Sequence, residues 1–218
     1  GMSDDGTREI LQEYARQYSS IRVIDNPGRI VSKGLNAAIR AARGDIIIRM
    51  DVHCEYEPNY IQQCLQVLER TGAANVGGPP IVKTHSFLWR AFAAAHHSAF
   101  AVGGSKWHDV AYEGYVDTIC FGCWRRCTLE RIGLFDESLV RNQDDELNLR
   151  LTRAGGKIWQ SPRIVCYYHP RDSFRGLFRQ HFQYGFWKVA VVRKHLIPAS
   201  WRHLVPGGFV LTNLVLLL

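Results

Sequence analysis

The stretch Gly44-Asp45-Ile46-Ile47-Ile48-Arg49-Met50-Asp51-Val52-His53 decides how the rest of the chain is read. Three successive β-branched residues make a buried strand, too short for a helix, and it runs into a carboxylate and an imidazole two positions apart. Side chains at i and i+2 of an extended chain point the same way, and open α/β sheets bind ligands beyond the carboxyl ends of their strands. Asp51 and His53 are therefore candidate ligands for a cation that accompanies a phosphate. An Asp-x-His taken alone equally well begins a polar turn, so its neighbours must decide.

Upstream, Ser3, Asp4 and Asp5 can cap a helix with Ile10, Leu11, Tyr14 and Tyr18 on one side. A short strand is expected at Ile21 to Asp25 and a turn at Asn26-Pro27-Gly28. The next helix, about Ser32 to Ala42, would bury Leu35, Ala38, Ile39 and Ala42 and stop at Gly44. Downstream, Pro58 opens a helix carrying Ile61, Leu65 and Leu68 that ends at Gly72. This alternation predicts βαβ units and a mostly parallel sheet flanked by helices, an α/β fold.

Further strands are expected at Ala73 to Gly78, Val116 to Phe121, Ile158 to Trp159 and Ile164 to Tyr168. Helices are expected at Phe87 to Val102, at Thr128 to Ile132, and from the acidic run Asp144-Asp145-Glu146 to Gly155. Gly103 to Tyr115 reads as a loop bordering a site. A longer helix, Phe174 to Lys194, sets Phe174, Phe178, Phe182 and Phe186 among Arg175, Arg179, Lys188, Arg193 and Lys194. Helices on a membrane surface and helices packed on a domain both show this pattern.

A chain of 218 residues, 46% hydrophobic and 22% charged, is long enough for one sizeable core. Its net charge of +7 favours acidic partners: nucleic acid, anionic lipid headgroups or nucleotide diphosphates. The six cysteines are too scattered for a disulfide framework, which suits a reducing cytoplasm. Cys120-x-x-Cys123 with Cys127 lacks the second pair that a zinc ribbon needs. Gly1 to Thr7 has no apolar core of the kind a signal peptide requires. The apolar tail Val205 to Leu218 is shorter than the ~20 residues of a spanning helix and reads as the start of a truncated membrane segment.

With these pieces in order, nearly the whole chain resembles the inverting family 2 glycosyltransferases of the GT-A fold, especially the bacterial exopolysaccharide (succinoglycan-type) enzymes. Gly1-Met2-Ser3-Asp4-Asp5-Gly6-Thr7 is similar to that family's Asp-Gly-x-Ser-x-Asp-Gly-Thr turn, and Lys33-Gly34-Leu35-Asn36 to Gly44-Asp45 to its second helix. Asp51-Val52-His53 stands where the family has Asp-x-Asp or, in this subgroup, Asp-x-His. Gly122-Cys123-Trp124-Arg125-Arg126 through Glu137 resembles the acceptor-side segment. Gln143-Asp144-Asp145-Glu146-Leu147 with Arg150 resembles the Glu-Asp catalytic motif, with Gln143 in place of the usual Glu. Arg179-Gln180 to Tyr184-Gly185-Phe186-Trp187 loosely resembles the interfacial helix with its Gln-x-x-Arg-Trp motif.

The resemblance implies a GT-A (nucleotide-diphospho-sugar transferase), Rossmann-like catalytic domain over residues 1–172, lacking the first strands. It implies an amphipathic interfacial region over 173–204 and the membrane segment over 205–218. The activity implied is transfer of a sugar from a nucleotide-diphosphate sugar, of the UDP-sugar class, to a lipid-linked or growing polysaccharide acceptor, at the cytoplasmic face of the bacterial inner membrane. Lys33, Asn36 and Asp51 would bind the donor nucleotide; Asp51 and His53 would hold Mg2+ or Mn2+. Asp144 would be the general base, and Gly122, Trp124, Arg125, Gln180 and Trp187 would line the acceptor side. Transfer needs a cation to neutralise the leaving diphosphate and a base for the acceptor hydroxyl, hence two separate acidic positions.

Asp144 and Asp145 can instead cap their helix, His169 suits a hydrogen-bonded loop as well as a metal, and Trp124, Arg125 and Arg126 suit core or surface roles. A metallophosphoesterase would need further Gly-Asp and Gly-Asn-His clusters downstream, which the sequence lacks. A non-catalytic nucleotide- or glycan-binding module is the other rival. No dinucleotide-binding Gly-x-Gly-x-x-Gly and no nucleic-acid motif occurs.

Overall fold

In the computed structural model, which describes residues 2–83, 87–98, 102–170 and 173–217, two helices, α1 (Thr7–Gln17) and α2 (Val31–Ala41), precede the Ile46–Ile48 strand, β1. There follow β2 (Cys54–Tyr56), α3 (Tyr60–Thr71), β3 (Asn75–Gly77), β4 (Pro80–Val82), α4 (Phe87–His97) and β5 (Gly114–Val116). The second half holds β6 (Cys123–Arg125), α5 (Arg126–Ile132), α6 (Gln143–Arg153), β7 (Ile158–Gln160), β8 (Cys166–Tyr168), α7 (Phe174–His195) and α8 (Val205–Leu216).

The larger sheet has the order β1-β6-β3-β7-β5. β1, β3 and β7 run the same way, as alternating strands and helices predict. β6 enters antiparallel between β1 and β3, and β5 closes the far edge antiparallel to β7. Successive side chains go to opposite faces. Ile46 and Ile48 join Cys123 and Val76 under α3, with Tyr60, Cys64, Val67 and Leu68. Ile47 joins Trp124 and Ile158 on the other face, under Ile39 of α2, Leu129 of α5 and Leu147 and Leu151 of α6. This is the helix-sheet-helix layering expected from the sequence.

Several expectations change. Ile21 to Asp25 forms no strand, and Ile21, Val23 and Ile24 are exposed. No residue of α1 is buried, so Ile10, Leu11, Tyr14 and Tyr18 face solvent. Ala38 is also exposed. Of the strand expected at Val116 to Phe121 only Val116 is in a strand, at the end of β5; residues 117–121 form none, and β6 begins at Cys123. Between them the chain bends, because Thr118 Oγ1 and the Ile119 carbonyl accept hydrogen bonds from Asn148 Nδ2, both 2.9 Å, in place of ladder partners. The strand expected at Ile164 to Tyr168 appears as β8 of the smaller sheet, β2-β8-β4, whereas the three-residue β2 and β4, with Glu55 and Pro80, carry no strand pattern in the sequence. α4 ends at His97, and residues 99–101 of its expected continuation lie outside the described residues. The six cysteines are all free thiols.

α7 is fastened to α6. Trp187 and Val191 pack on Leu139 and Leu149. Glu146, fully buried, accepts from Arg150 (2.8 Å), Lys194 (2.6 Å) and His195 (2.9 Å). Burial resists ionisation of Glu146, but the Arg150 and Lys194 cations prevail and hold its carboxyl below the usual range. Lys194 also pairs with Asp136, whose carboxyl lies at about 2, burial being outweighed by Lys194 and Ser138. Among the described residues no helix is long and apolar enough to cross a membrane.

Removing one partner of a buried ion pair leaves the others uncompensated, so Glu146→Gln should destabilise the fold by about 3 kcal/mol. A urea midpoint close to that of the wild type would contradict this. Depressed carboxyl pKa values stabilise above the unfolded-state pKa, so this docking should persist above about pH 5 and weaken as pH falls toward about 2, where Asp136 protonates. Near-ultraviolet circular dichroism of Trp187 across that window measures it.

Candidate active site

Beyond Ile48 the chain turns inward. The Arg49 amide donates to the Gly122 carbonyl at 3.0 Å, extending the β1–β6 pairing by one residue. The Arg49 side chain then folds back on Asp51, Nε to Oδ1 at 2.9 Å and Nη2 to Oδ2 at 2.8 Å, a bidentate pair whose side chains are 8% and 19% exposed. The Asp51 amide donates to Tyr56 Oη at 2.6 Å. His53 is exposed, its ring edge-on to Tyr168 (5.4 Å) and Phe121 (6.4 Å), and the Arg49 guanidinium sits 5.8 Å from the Phe121 ring centre. Burial works against the Arg49 charge, yet Asp51 and Asp144 together keep it firmly protonated.

Asp144 is thus in electrostatic reach of the same guanidinium that holds Asp51. It stands in the first turn of α6, after Asn142, which adopts the left-handed conformation (φ 58°) and donates from Nδ2 to the Tyr184 carbonyl of α7 at 2.8 Å. Asp144 Oδ1 accepts from the Asp145 amide at 3.0 Å, so it does serve the helix start. Burial, helped by the Asp145 charge, raises the Asp144 carboxyl above its usual range; Arg49 only partly offsets this. Asp145 differs: burial opposes its charge, but Lys188 and Thr118 hold its carboxyl below the usual range. The Cys120 thiol beside them is pushed up by burial and by both carboxylates.

These residues gather around Arg49. Gly122 belongs here through its backbone: a Cβ would come 2.4 Å from Asn75 Oδ1 and 2.2 Å from the Trp124 ring. Gln180 reaches the site's rim, donating to Tyr184 Oη (2.8 Å) and Tyr168 Oη (3.4 Å), the latter beside His53.

Other expected site residues lie elsewhere. β6 runs antiparallel to β1, so Trp124 and Arg125 travel away from the site, and Arg125 pairs with Ile46 at the opposite end. Trp124 is 2% exposed, edge-on to Phe135, and has no face for a sugar. Asn36 is a clamp: Nδ2 donates to the Phe135 carbonyl (2.8 Å) and Glu137 (2.9 Å), and Oδ1 accepts from the Phe135 amide (3.0 Å). Its amide is committed to that loop. Lys33 is exposed on α2, its stem against Gly28, and Trp187 packs between α7 and α6. His169 Nε2 pairs with Glu55 at 2.8 Å.

Arg49, Cys120, Thr118 and Lys188 were missed. Arg49 had a signal, since it precedes Asp51 by the same two-residue step that links Asp51 to His53. The others become neighbours only through the fold.

Among the described residues no group of three His, Cys, Asp or Glu side chains converges to hold a metal. Asp51 and His53, a carboxylate and an imidazole beyond the end of β1, would be the residues to hold a divalent cation that accompanies a diphosphate. A separate groove of about 540 Å³, with Glu55, Glu57, Lys83 and Tyr167 on its walls, includes neither Asp51 nor Asp144.

The profile of Glycosyl transferase family 2 matches residues 1–130. The succinoglycan biosynthesis protein ExoA of Rhizobium meliloti (strain 1021) is 32% identical over 208 residues, covering 94% of this chain and 63% of its own length. A mannosyltransferase of Pyrobaculum calidifontis, solved with GDP-Man and Mn2+, superposes with a TM-score of 0.63 at 18% identity, covering 89% of this chain and 52% of that one. TarS (residues 1–349) of S. aureus with UDP-GlcNAc gives 0.58 at 12% identity, covering 88% and 55%. The chain therefore spans less than two thirds of these relatives. It belongs to glycosyl transferase family 2, and its fold is GT-A.

If Trp124 is core, Trp124→Ala should cost about 3–5 kcal/mol of stability in urea unfolding. An unchanged midpoint with selectively weakened saccharide binding would restore Trp124 to the acceptor side.

Proposed function

We propose that this chain carries the catalytic site of an inverting, metal-dependent glycosyltransferase. It moves a sugar from a nucleotide-diphosphate sugar, of the UDP-sugar class, to a lipid-linked or growing polysaccharide acceptor. The observation that carries this reading is one buried guanidinium, Arg49, bonded to the strand-end carboxylate Asp51 and electrostatically coupled to the helix-start carboxylate Asp144. That both carboxylates lie in reach of one guanidinium supports reading them as two acidic positions of one site. The relatives' names agree in kind: one is a succinoglycan biosynthesis protein, and the matched structures contain GDP-Man with Mn2+ or UDP-GlcNAc.

In this reading Asp51 and His53 would hold Mn2+ or Mg2+, which when bound supplies positive charge opposite the leaving diphosphate. Asp144 accepts the proton of the acceptor hydroxyl as its oxygen attacks the anomeric carbon from the face opposite the diphosphate, and inversion follows from that single displacement. A raised carboxyl pKa makes Asp144 a better proton acceptor than an exposed aspartate. Arg49 keeps a fixed cation between the two carboxylates.

The acceptor would arrive from a membrane. Phe174, Phe178, Phe182 and Phe186 are 63–73% exposed along α7, and Phe209, Leu211, Leu214 and Leu216 of α8 are also exposed. Lys188 and Lys194, expected among the basic residues of the outer face, turn inward to Asp145, Asp136 and Glu146; Arg175, Arg179 and Arg193 stay outside. An exposed aromatic stripe flanked by arginines suits an anionic lipid surface, and the cytoplasmic face of the bacterial inner membrane is the corresponding location.

Asp51→Ala should abolish Mn2+-dependent UDP binding measured by calorimetry, and Asp144→Asn should preserve it while slowing transfer ~10²- to 10⁴-fold. Full transfer by Asp144→Asn, or full binding by Asp51→Ala, would overturn these assignments. Because the base must be ionised, the acidic limb of the rate profile should lie above the ordinary aspartate value of about 3.9.

A further inference from the structure

α7 turns one lysine toward the site, and its target is the neighbour of the base. Both oxygens of Asp145 are engaged: Lys188 Nζ pairs with Oδ2, and Thr118 Oγ1 donates to Oδ1 at 3.0 Å. Thr118 is itself held. Asn148 Nδ2 donates to Thr118 Oγ1 at 2.9 Å, and Asn75 Nδ2 donates to Asn148 Oδ1 at 2.9 Å. Asn75 and Asn148 are buried, so a polar chain runs from α7 to the middle of the sheet at β3. Asp144, one residue earlier, receives the Asp145 amide and faces Arg49, Cys120 and Tyr184.

Two adjacent carboxylates in a desolvated site do not ionise independently; the one in a direct ion pair keeps its charge, and the other, which meets its cation only at longer range, retains the capacity to take a proton. We propose that Lys188 is a positioning residue that commits Asp145 to an ion pair and thereby leaves Asp144 as the site's proton acceptor. Because Lys188 belongs to α7, the seating of that helix decides which carboxylate does the chemistry. The inference rests on the reading of Asp144 as the base.

A purely structural Lys188 would only fasten α7, yet α7 is fastened independently. Asn142 donates to the Tyr184 carbonyl, Arg141 donates to Gln183 at 3.1 Å, and Lys194 and His195 reach Glu146. Losing the Lys188 charge should therefore change titration more than folding. The groups facing Asp145 are Lys188, Thr118, His203, Cys120 and Asp144, and Lys188 also acts at longer range on Asp144, so their effects must be read together.

The test is a carbon-13 NMR titration of the chain labelled at its aspartate carboxyls, as wild type, Lys188→Met and Lys188→Arg, with Asp144→Asn and Asp145→Asn to assign the signals. In the wild type Asp145 should titrate below Asp144. In Lys188→Met, Asp145 should rise by ~1 unit or more, with UDP binding in the presence of Mn2+ unchanged, and Lys188→Arg should restore the wild-type order. Should Lys188→Met fail to fold, Lys188→Gln, which keeps a donor and removes the charge, gives the same comparison. An Asp145 titration that ignores the loss of Lys188, or a wild type in which Asp144 titrates first, would overturn the proposal. Failure of the base assignment is distinguishable: Asp144→Asn would then transfer sugar normally, whatever the titration order.

Discussion

The antiparallel pairing of β6 with β1 is the constraint on which the site depends. With Ile48 opposite Cys123, the next residue of each strand is fixed: the Arg49 amide meets the Gly122 carbonyl, and the segment Cys120 to Gly122 is carried to the carboxyl end of β1. Only glycine fits at position 122, because Asn75 and the Trp124 ring crowd its Cα. The same register sends Trp124 into the core and Arg125 to the far end. One set of backbone hydrogen bonds therefore both assembles the site and carries away from it two residues that the family resemblance implied for the acceptor side.

Charge is distributed around that frame in matched groups. Arg49 is balanced by Asp51 and Asp144, Asp145 by Lys188, and Glu146 by Arg150, Lys194 and His195. Three consecutive acidic residues at the start of α6 thus face three different partners, and only the first is left without a lysine or arginine ion pair of its own. The helix dipole favours acidic residues in this first turn, which explains why all three are tolerated there. α7 supplies Lys188, Lys194 and His195 on its inner side and presents aromatic rings on its outer side, so one helix joins the proposed lipid-facing surface to the neighbour of the proposed base.

The parts of this arrangement legible in the sequence are those set by local chemistry. Ile46 to Ile48 is a strand because β-branched side chains fit a pleated surface, α3 ends where Gly72 takes a left-handed conformation, and the α7 aromatics recur at helical spacing. The rest depended on tertiary contacts. Nothing local distinguishes an indole that is buried against Phe135 from one that stacks on sugar, or an Asn36 that clamps a loop from one that binds a nucleotide. Lys188 reads as one more basic residue of an amphipathic helix until α6 is laid beside it. β8 lies in the expected apolar run Ile164 to Tyr168, but β2 and β4 show no strand pattern, because Glu55 and Pro80 interrupt segments of only three residues. The order of motifs along the chain compensated, identifying family and fold where single motifs were weak.

The central claim is that the strand-end carboxylate and the α6 carboxylate belong to one site. Paramagnetic broadening by Mn2+ in the presence of UDP, read residue by residue in the NMR spectrum, tests it directly. Strong broadening at Asp51 and His53 that extends across to Cys120 and Asp144 is the predicted result. Broadening that spares Cys120 and Asp144, or that does not depend on UDP, would contradict it.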